Sequence, residues 1–171
     1  PQGTYIFMSN HVSNLDPPVL IPIIPRRTSV LAKRELWRIP ILNKALDLVE
    51  IVPVDRSSRD AAIQSVRRAG EVMRHRVNMT IYPEGTRSRD GRLLPFKKGP
   101  FHLAMETGEP VVPVTILGTY EMMPKGSWIA RNGTATLVFH APLDPKQFAS
   151  REELMQAVWQ EINSALPVER R

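Results

Sequence analysis

Val77-Asn78-Met79-Thr80-Ile81-Tyr82-Pro83-Glu84-Gly85-Thr86-Arg87-Ser88 carries an apolar run straight into a polar, glycine-bearing loop. The run reads as a buried strand over Val77 to Tyr82, stopped by the proline. Downstream, Gly99 to Thr107 reads as a helix closed by Gly108, and Val111 to Leu117 as another buried strand. Strand, loop, helix and strand in that order form the repeating unit of an α/β domain.

The alternation continues both ways. Toward the N-terminus, Thr4 to Ser9, Thr28 to Ala32 and Glu50 to Val54 read as strands, and Asp16 to Ile24 as a short helix opened by prolines. A basic segment, Lys33 to Leu46, is interrupted at Pro40. Arg59 to His75 is the clearest early helix: Ile63, Val66, Gly70 and Met73 fall near helical spacing, and Ser57 with Asp60 form a capping box. Toward the C-terminus, Thr134 to His140 reads as a strand. Arg151 to Leu166 reads as the last helix, capped by Ser150 and Glu153, with Leu154, Val158, Ile162 and Ala165 as its buried stripe. The expectation is a single α/β domain over residues 1–171 with a mostly parallel central sheet flanked by helices.

Composition agrees. A chain of 171 residues with 42% hydrophobic and 23% charged residues fits one globular domain. The absence of cysteine excludes disulfides, thiolate metal sites and a cysteine nucleophile. A net charge of +6 favours an anionic partner: a phosphorylated substrate, an acidic membrane or nucleic acid. Nucleic acid ranks below the others, because aromatic content is only 6% and no helix-turn-helix, zinc-finger or RNP-like block occurs. The apolar run Val19 to Ile24 is too short to span a bilayer and is hemmed by Pro17, Pro18, Pro22 and Pro25. The sequence opens on Pro1 and enters a strand almost at once, so the natural N-terminus, with a possible membrane anchor, is expected further upstream.

Two loops carry candidate chemistry, and both follow the carboxyl ends of predicted strands, the usual ligand edge of an open α/β sheet. In the first, Asn10-His11-Val12-Ser13-Asn14-Leu15-Asp16, an imidazole can take a proton from a hydroxyl near neutral pH. Asp16 could fold back to orient it, with a substrate hydroxyl standing where a triad has its serine. A helix-capping Asp16 and an ordinary loop His11 are the alternative. In the second, Gly85 lets backbone N–H groups approach a ligand and Arg87 can grip a phosphate bidentately. Lys97 and Lys98 follow at a helix start and face the same region. An ordinary Gly-Thr turn with solvated charges is the alternative there.

Arg56, ending Val52-Pro53-Val54-Asp55-Arg56, is another phosphate candidate, or a surface partner of Asp55. Lys33 ends a strand and reads as a surface lysine. His75, His102 and His140 read as capping, packed or solvated. The chain has no Gly-x-Ser-x-Gly elbow, P-loop, dinucleotide fingerprint or His-Glu-x-x-His. Direct attack by a substrate hydroxyl is therefore simpler than a covalent serine route.

Taken together, four ordered blocks resemble the glycerolipid acyltransferase family, and within it the 1-acyl-glycerol-3-phosphate acyltransferases. They are Asn10-His11-x4-Asp16, Val52 to Arg56, Tyr82 to Ser88, and Val111-Val112-Pro113-Val114; the likeness runs from about residue 5 to residue 118. It takes in Ala32-Lys33-Arg34-Glu35-Leu36 and Lys97-Lys98-Gly99 as well. The resemblance implies a glycerol-3-phosphate acyltransferase-like fold. It implies that His11, held by Asp16, deprotonates the free hydroxyl of lysophosphatidate for attack on an acyl thioester. Arg56, Glu84, Gly85, Thr86 and Arg87, with Lys33 and Lys97, would shape the glycerol-phosphate site. The donor would be acyl-CoA or acyl-carrier protein, with no cofactor and no metal. The chain departs from the family pattern at Glu50, where glycine is usual, and at Pro53, where an aromatic is frequent.

The reading places the protein at a membrane, on its cytoplasmic face, touching an anionic surface. Trp37 beside Arg34 and Arg38, with Ile39, Pro40, Ile41 and Leu42, suits such an interface; a helix packing its apolar side on the sheet is the alternative. Two other functions stay open at this stage: a phospholipid-binding module without activity, and a phosphohydrolase using His11, Asp16 and Glu84 as metal ligands. Glycerol-3-phosphate or another lysophospholipid could also be the acceptor.

Overall fold

Strands β1 (Ile6–Ser9), β2 (Thr28–Lys33), β3 (Val52–Val54), β4 (Asn78–Ile81), β5 (Val111–Leu117) and β6 (Thr136–Phe139) form one sheet in the order β3-β2-β4-β1-β5-β6. The computed structural model describes residues 3–33, 51–54 and 59–170. The first five strands run parallel and only β6 is antiparallel, against β5. Parallel strands need both faces covered, and β1, β4 and β5 are accordingly buried along nearly their whole length; β1 and β5 are mostly apolar, whereas β4 alternates Met79 and Ile81 with buried Asn78 and Thr80.

Alternation along each strand sorts the core into two layers. Ile6 and Met8 of β1, Met79 and Ile81 of β4, and Val111 of β5 meet Ala69, Met73, Phe101, Leu103, Leu154, Val158 and Ile162. Those partners come from α2 (Arg59–Arg74), α3 (Lys98–Thr107) and α5 (Arg151–Ser164). On the other face, Phe7, Val112, Val114 and Ile116 meet Leu20 of α1 (Asp16–Leu20) and Ile24 beyond it. A further one-turn helix, α4 (Thr119–Met122), follows β5 directly.

The predicted elements form within a few residues of their expected bounds, with instructive exceptions. Helix α1 stops at Leu20 and tightens into a 3₁₀ turn over Ile21–Ile23, because Pro22 has no N–H to continue the α ladder. The buried stripe of α2 is Ser65, Ala69 and Met73, while Ile63, Val66 and Gly70 are only half-buried. Ser65 tolerates burial by donating its hydroxyl to the Ala61 carbonyl at 2.9 Å. In α5 the Ser150 hydroxyl accepts from the Glu153 N–H at 3.2 Å as expected, and the Glu153 carboxylate accepts in turn from Ala149, at 3.1 Å. Leu166, not Ala165, ends its buried stripe, swung inward by a turn from Asn163. Arg56, Ser57, Glu50 and the segment Arg34 to Leu46 lie outside the described residues.

Candidate active site

Because β4, β1 and β5 are neighbours and parallel, the loops at their carboxyl ends open side by side on one edge of the sheet. Each contributes one part of a single cluster.

From β1 comes the histidine loop. Asn10 is buried and pins it: its amide donates to the Ile116 carbonyl at 2.9 Å and accepts from the Ile116 N–H at 2.7 Å. The chain then turns, and Asp16, at the start of α1, folds back beneath the imidazole with its Oδ2 2.7 Å from His11 Nδ1. The same oxygen accepts from the N–H groups of Val12 at 2.7 Å and Ser13 at 2.8 Å. Oδ1 accepts from the Thr119 hydroxyl at 2.6 Å. Four donors thus surround a fully buried carboxylate, which meets the condition for keeping such a group in the interior. A carboxylate only accepts, so Nδ1 carries the proton and Nε2 the lone pair. The His11 side chain is 18% exposed while Asp16 is at 0%, so the ring reaches solvent and its partner does not.

From β4 comes the glutamate loop. Glu84 is 1% exposed, and both of its oxygens bind backbone: Oε1 takes the His11 N–H at 2.7 Å and Oε2 the Leu94 N–H at 2.9 Å. The Ser88 N–H returns a bond to the His11 carbonyl at 2.8 Å, so the two loops are stitched in both directions. Burial pushes the Glu84 carboxyl up to about 8, against the lowering pull of those two N–H groups, and the Asp16 charge adds to the rise. Gly85 takes a left-handed conformation, φ 72°, which closes the turn from Tyr82. Tyr82 itself lies against His11, ring centroids 4.2 Å apart and planes 25° off parallel. Burial and then the Asp16 charge hold its phenol well above the ordinary range.

Within this loop Thr86 is exposed and Arg87 half-buried. Lys125 braces both, donating to Thr86 Oγ1 at 3.1 Å and to the Arg87 carbonyl at 2.7 Å. Lys97 is exposed at the N-terminus of α3, and its N–H donates to the Pro83 carbonyl at 2.8 Å. Beside it opens a cavity of about 420 Å³ walled by Leu31, Ile63, Val66, Ile81 and Tyr82, with Lys97 and Lys98 on its rim. Lys33 is the last residue of β2, and Arg56 lies outside the described residues. His11, Asp16, Glu84, Gly85, Thr86, Arg87 and Lys97 are therefore gathered on one edge. His75 and His102 are exposed, and His140 is packed, bonded to Thr115 at 2.9 Å and to Glu161 at 3.2 Å.

Thr119 has no place in the sequence motifs, and the partners of Asn10 and Ser13 are not legible in them. The only signal for Thr119 is its place one residue past a glycine at the end of a buried strand. Ser13 donates its hydroxyl to the Met123 carbonyl at 2.7 Å, tying the histidine loop to the segment after α4. Among the described residues, no group of three or more His, Cys, Asp or Glu side chains is placed to share a metal ion.

A family model described as acyltransferase matches residues 1–117. The chain is 34% identical over 151 residues to a chloroplastic 1-acyl-sn-glycerol-3-phosphate acyltransferase of Brassica napus, covering 88% of this chain and 42% of the relative. It is 39% identical over 140 residues to the enzyme of that name from Limnanthes douglasii, covering 81% of this chain and 50% of the relative. The crystal structure of the 1-acyl-sn-glycerophosphate acyltransferase PlsC of Thermotoga maritima superposes with a TM-score of 0.83 at 37% identity, covering 96% of this chain and 65% of that one. The chain thus spans about half the length of the curated relatives it matches. The chain belongs to the acyltransferase family.

Proposed function

We propose that this chain transfers a fatty acyl group from an acyl thioester to the free hydroxyl of 1-acyl-glycerol-3-phosphate, giving phosphatidate. The observation that carries the reading is the 2.7 Å bond from His11 Nδ1 to a buried Asp16, which leaves the lone pair on the other ring nitrogen, where a base needs it. Nε2 takes the proton of the acceptor hydroxyl as its oxygen attacks the thioester carbonyl. The tetrahedral intermediate collapses with loss of the thiolate, which recovers that proton from the imidazolium. Asp16 stays a carboxylate throughout, holding Nδ1–H and favouring the transient positive charge.

Arg87 is the first phosphate ligand on this reading, since it is a half-buried guanidinium in the glutamate loop and can grip a phosphate bidentately. Lys97, Thr86 and the Gly85 backbone assist it, with Arg56 and Lys33 as further phosphate ligands on the same reading. Glu84 serves the site from beneath, because its carboxyl oxygens hold the His11 and Leu94 N–H groups. The apolar cavity beside Tyr82, with lysines at its mouth, suits an acyl chain that ends in a charged group. The donor is acyl-CoA or acyl-carrier protein, and no cofactor takes part. Among the described residues no helix is long and apolar enough to cross a membrane; on this reading the domain meets an anionic bilayer through its surface.

The test is thiol release from an acyl-CoA on adding lysophosphatidate, comparing the intact chain with His11→Ala. Release that depends on the acceptor and disappears in a folded variant supports the reading. Undiminished release from His11→Ala would remove the base from the mechanism.

A further inference from the structure

Residues Met122 to Arg131 make a closed loop beside the catalytic cluster. The Arg131 N–H donates to the Met122 carbonyl at 2.8 Å, and the Ser127 N–H to the Pro124 carbonyl at 3.0 Å. Ser127 also staples the tip, its hydroxyl donating to the Ile129 carbonyl at 2.9 Å and accepting from the Ile129 N–H at 3.2 Å. This preformed tip presents Trp128 and Ile129 at 92% and 77% exposure. Among the described residues the other large exposed apolar side chains, Ile23, Phe139 and Val168, are not consecutive in the chain. Single exposed apolar residues are ordinary, but an adjacent indole and isoleucine held out by a stapled turn are not explained by packing. Lys125 and Arg131 flank the pair, and Met122 to Thr134 contains no acidic residue.

The base of the loop is bonded to both halves of the site, through Ser13 to Met123 at 2.7 Å and through Lys125 to the Arg87 carbonyl at 2.7 Å. Trp128 is three residues beyond Lys125, at most about 11 Å of extended chain. We propose that this loop is a membrane contact, with Trp128 and Ile129 entering the headgroup boundary of a bilayer that carries anionic lipid. An amphipathic indole and an aliphatic neighbour with basic shoulders have the chemistry of that boundary. The bonds at its base would then set the Arg87 edge of the site against the surface from which a lipid acceptor arrives. This rests on the reading that the acceptor is a lipid.

The cysteine-free chain allows a direct test. Ile129→Cys carries an environment-sensitive fluorophore, and His75→Cys, exposed where α2 leads into the opposite edge of the sheet, carries it as control. Vesicles of phosphatidylcholine with phosphatidylglycerol are expected to blue-shift the label at 129, more than phosphatidylcholine alone, and to leave the label at 75 unchanged. In parallel, Trp128→Ser/Ile129→Ser is expected to keep its rate on short-chain, monomeric substrates within about twofold. Its rate on vesicle-borne lysophosphatidate should fall by on the order of tenfold. No shift at 129, or an equal loss on both kinds of substrate, overturns the proposal. A loss confined to acyl-carrier-protein donor without vesicles also overturns it and assigns the loop to a protein partner. A shift at 129 in a chain that shows no acyl transfer leaves the membrane contact standing and sinks the enzymatic reading instead.

Discussion

Thr119 donates its hydroxyl to Asp16 Oδ1 at 2.6 Å across 103 residues of chain, from the end of β5 to the start of α1. The local turn supplies Oδ2 with all its donors, so Thr119 is the distant group that fixes the second oxygen. Thr119→Val keeps the shape and removes the donor, leaving a buried carboxylate oxygen short of a partner. We expect a stability loss of about 1–3 kcal/mol and a fall in kcat of roughly tenfold with little change in KM. Thr119→Ser should restore most of both. Unaltered kcat in the valine variant would show that Oδ2 alone orients the imidazole.

Gly118 sets up that bond. Its φ is 85°, and a Cβ there would lie 2.0 Å from the Thr134 carbonyl oxygen, a backbone atom that cannot step aside. Gly118→Ala must shift either Thr119 or the start of β6. The expected cost is roughly 2–4 kcal/mol, seen as a lower Tm, with a kcat loss in the folded fraction that matches Thr119→Val. An unchanged Tm would show that the β5 end has slack.

How far the sequence reaches depends on whether the decisive contact is local. His11 and Asp16 are five residues apart, and one turn between strand and helix is enough to join them, so spacing and side-chain chemistry make the pair legible. Glu84 meets the His11 N–H across 73 residues and Thr119 meets Asp16 across 103, so both contacts require knowing that β1 lies between β4 and β5. The sequence shows those strands but not their order. Hence Glu84 reads as a loop carboxylate open to ligand, whereas its oxygens are turned inward onto backbone. Helix α2 fails differently: periodicity weights large apolar residues, while the sheet takes the small Ser65 and Ala69 and leaves Ile63 half-buried. Helix α5 is legible at its start because Ser150 and Glu153 lie within one turn of each other.

Glu84 gives a pH signature with a definite sign. Its folded-state value, about 8, lies above its ordinary 4.5, so the folded protein holds a proton that the unfolded chain has already released. Its contribution to stability is full below about 4.5 and is lost as pH rises toward 8. Glu84→Gln does not titrate. Denaturant midpoints measured from pH 5 to pH 8 should therefore show wild type losing ground to the glutamine variant, by on the order of a few kcal/mol across the window. Parallel curves for the two proteins would mean that the His11 and Leu94 N–H groups keep the carboxylate ionised throughout.

Tyr82 separates what its ring does from what its hydroxyl does. The ring stacks on His11 at 4.2 Å, and among the described residues the buried hydroxyl has no hydrogen-bond partner. With its phenol held well above the ordinary range, Tyr82 stays neutral at any working pH and carries only the penalty of an unmet polar group. Tyr82→Phe keeps the stack and removes that penalty, so we expect a gain of about 1 kcal/mol in stability with kcat unchanged. Tyr82→Ala removes the stack as well and should cost roughly 3–5 kcal/mol along with most of the activity. If the phenylalanine variant instead loses activity while gaining stability, the hydroxyl meets the substrate during turnover, and its isolation in the free protein is what leaves it available to do so.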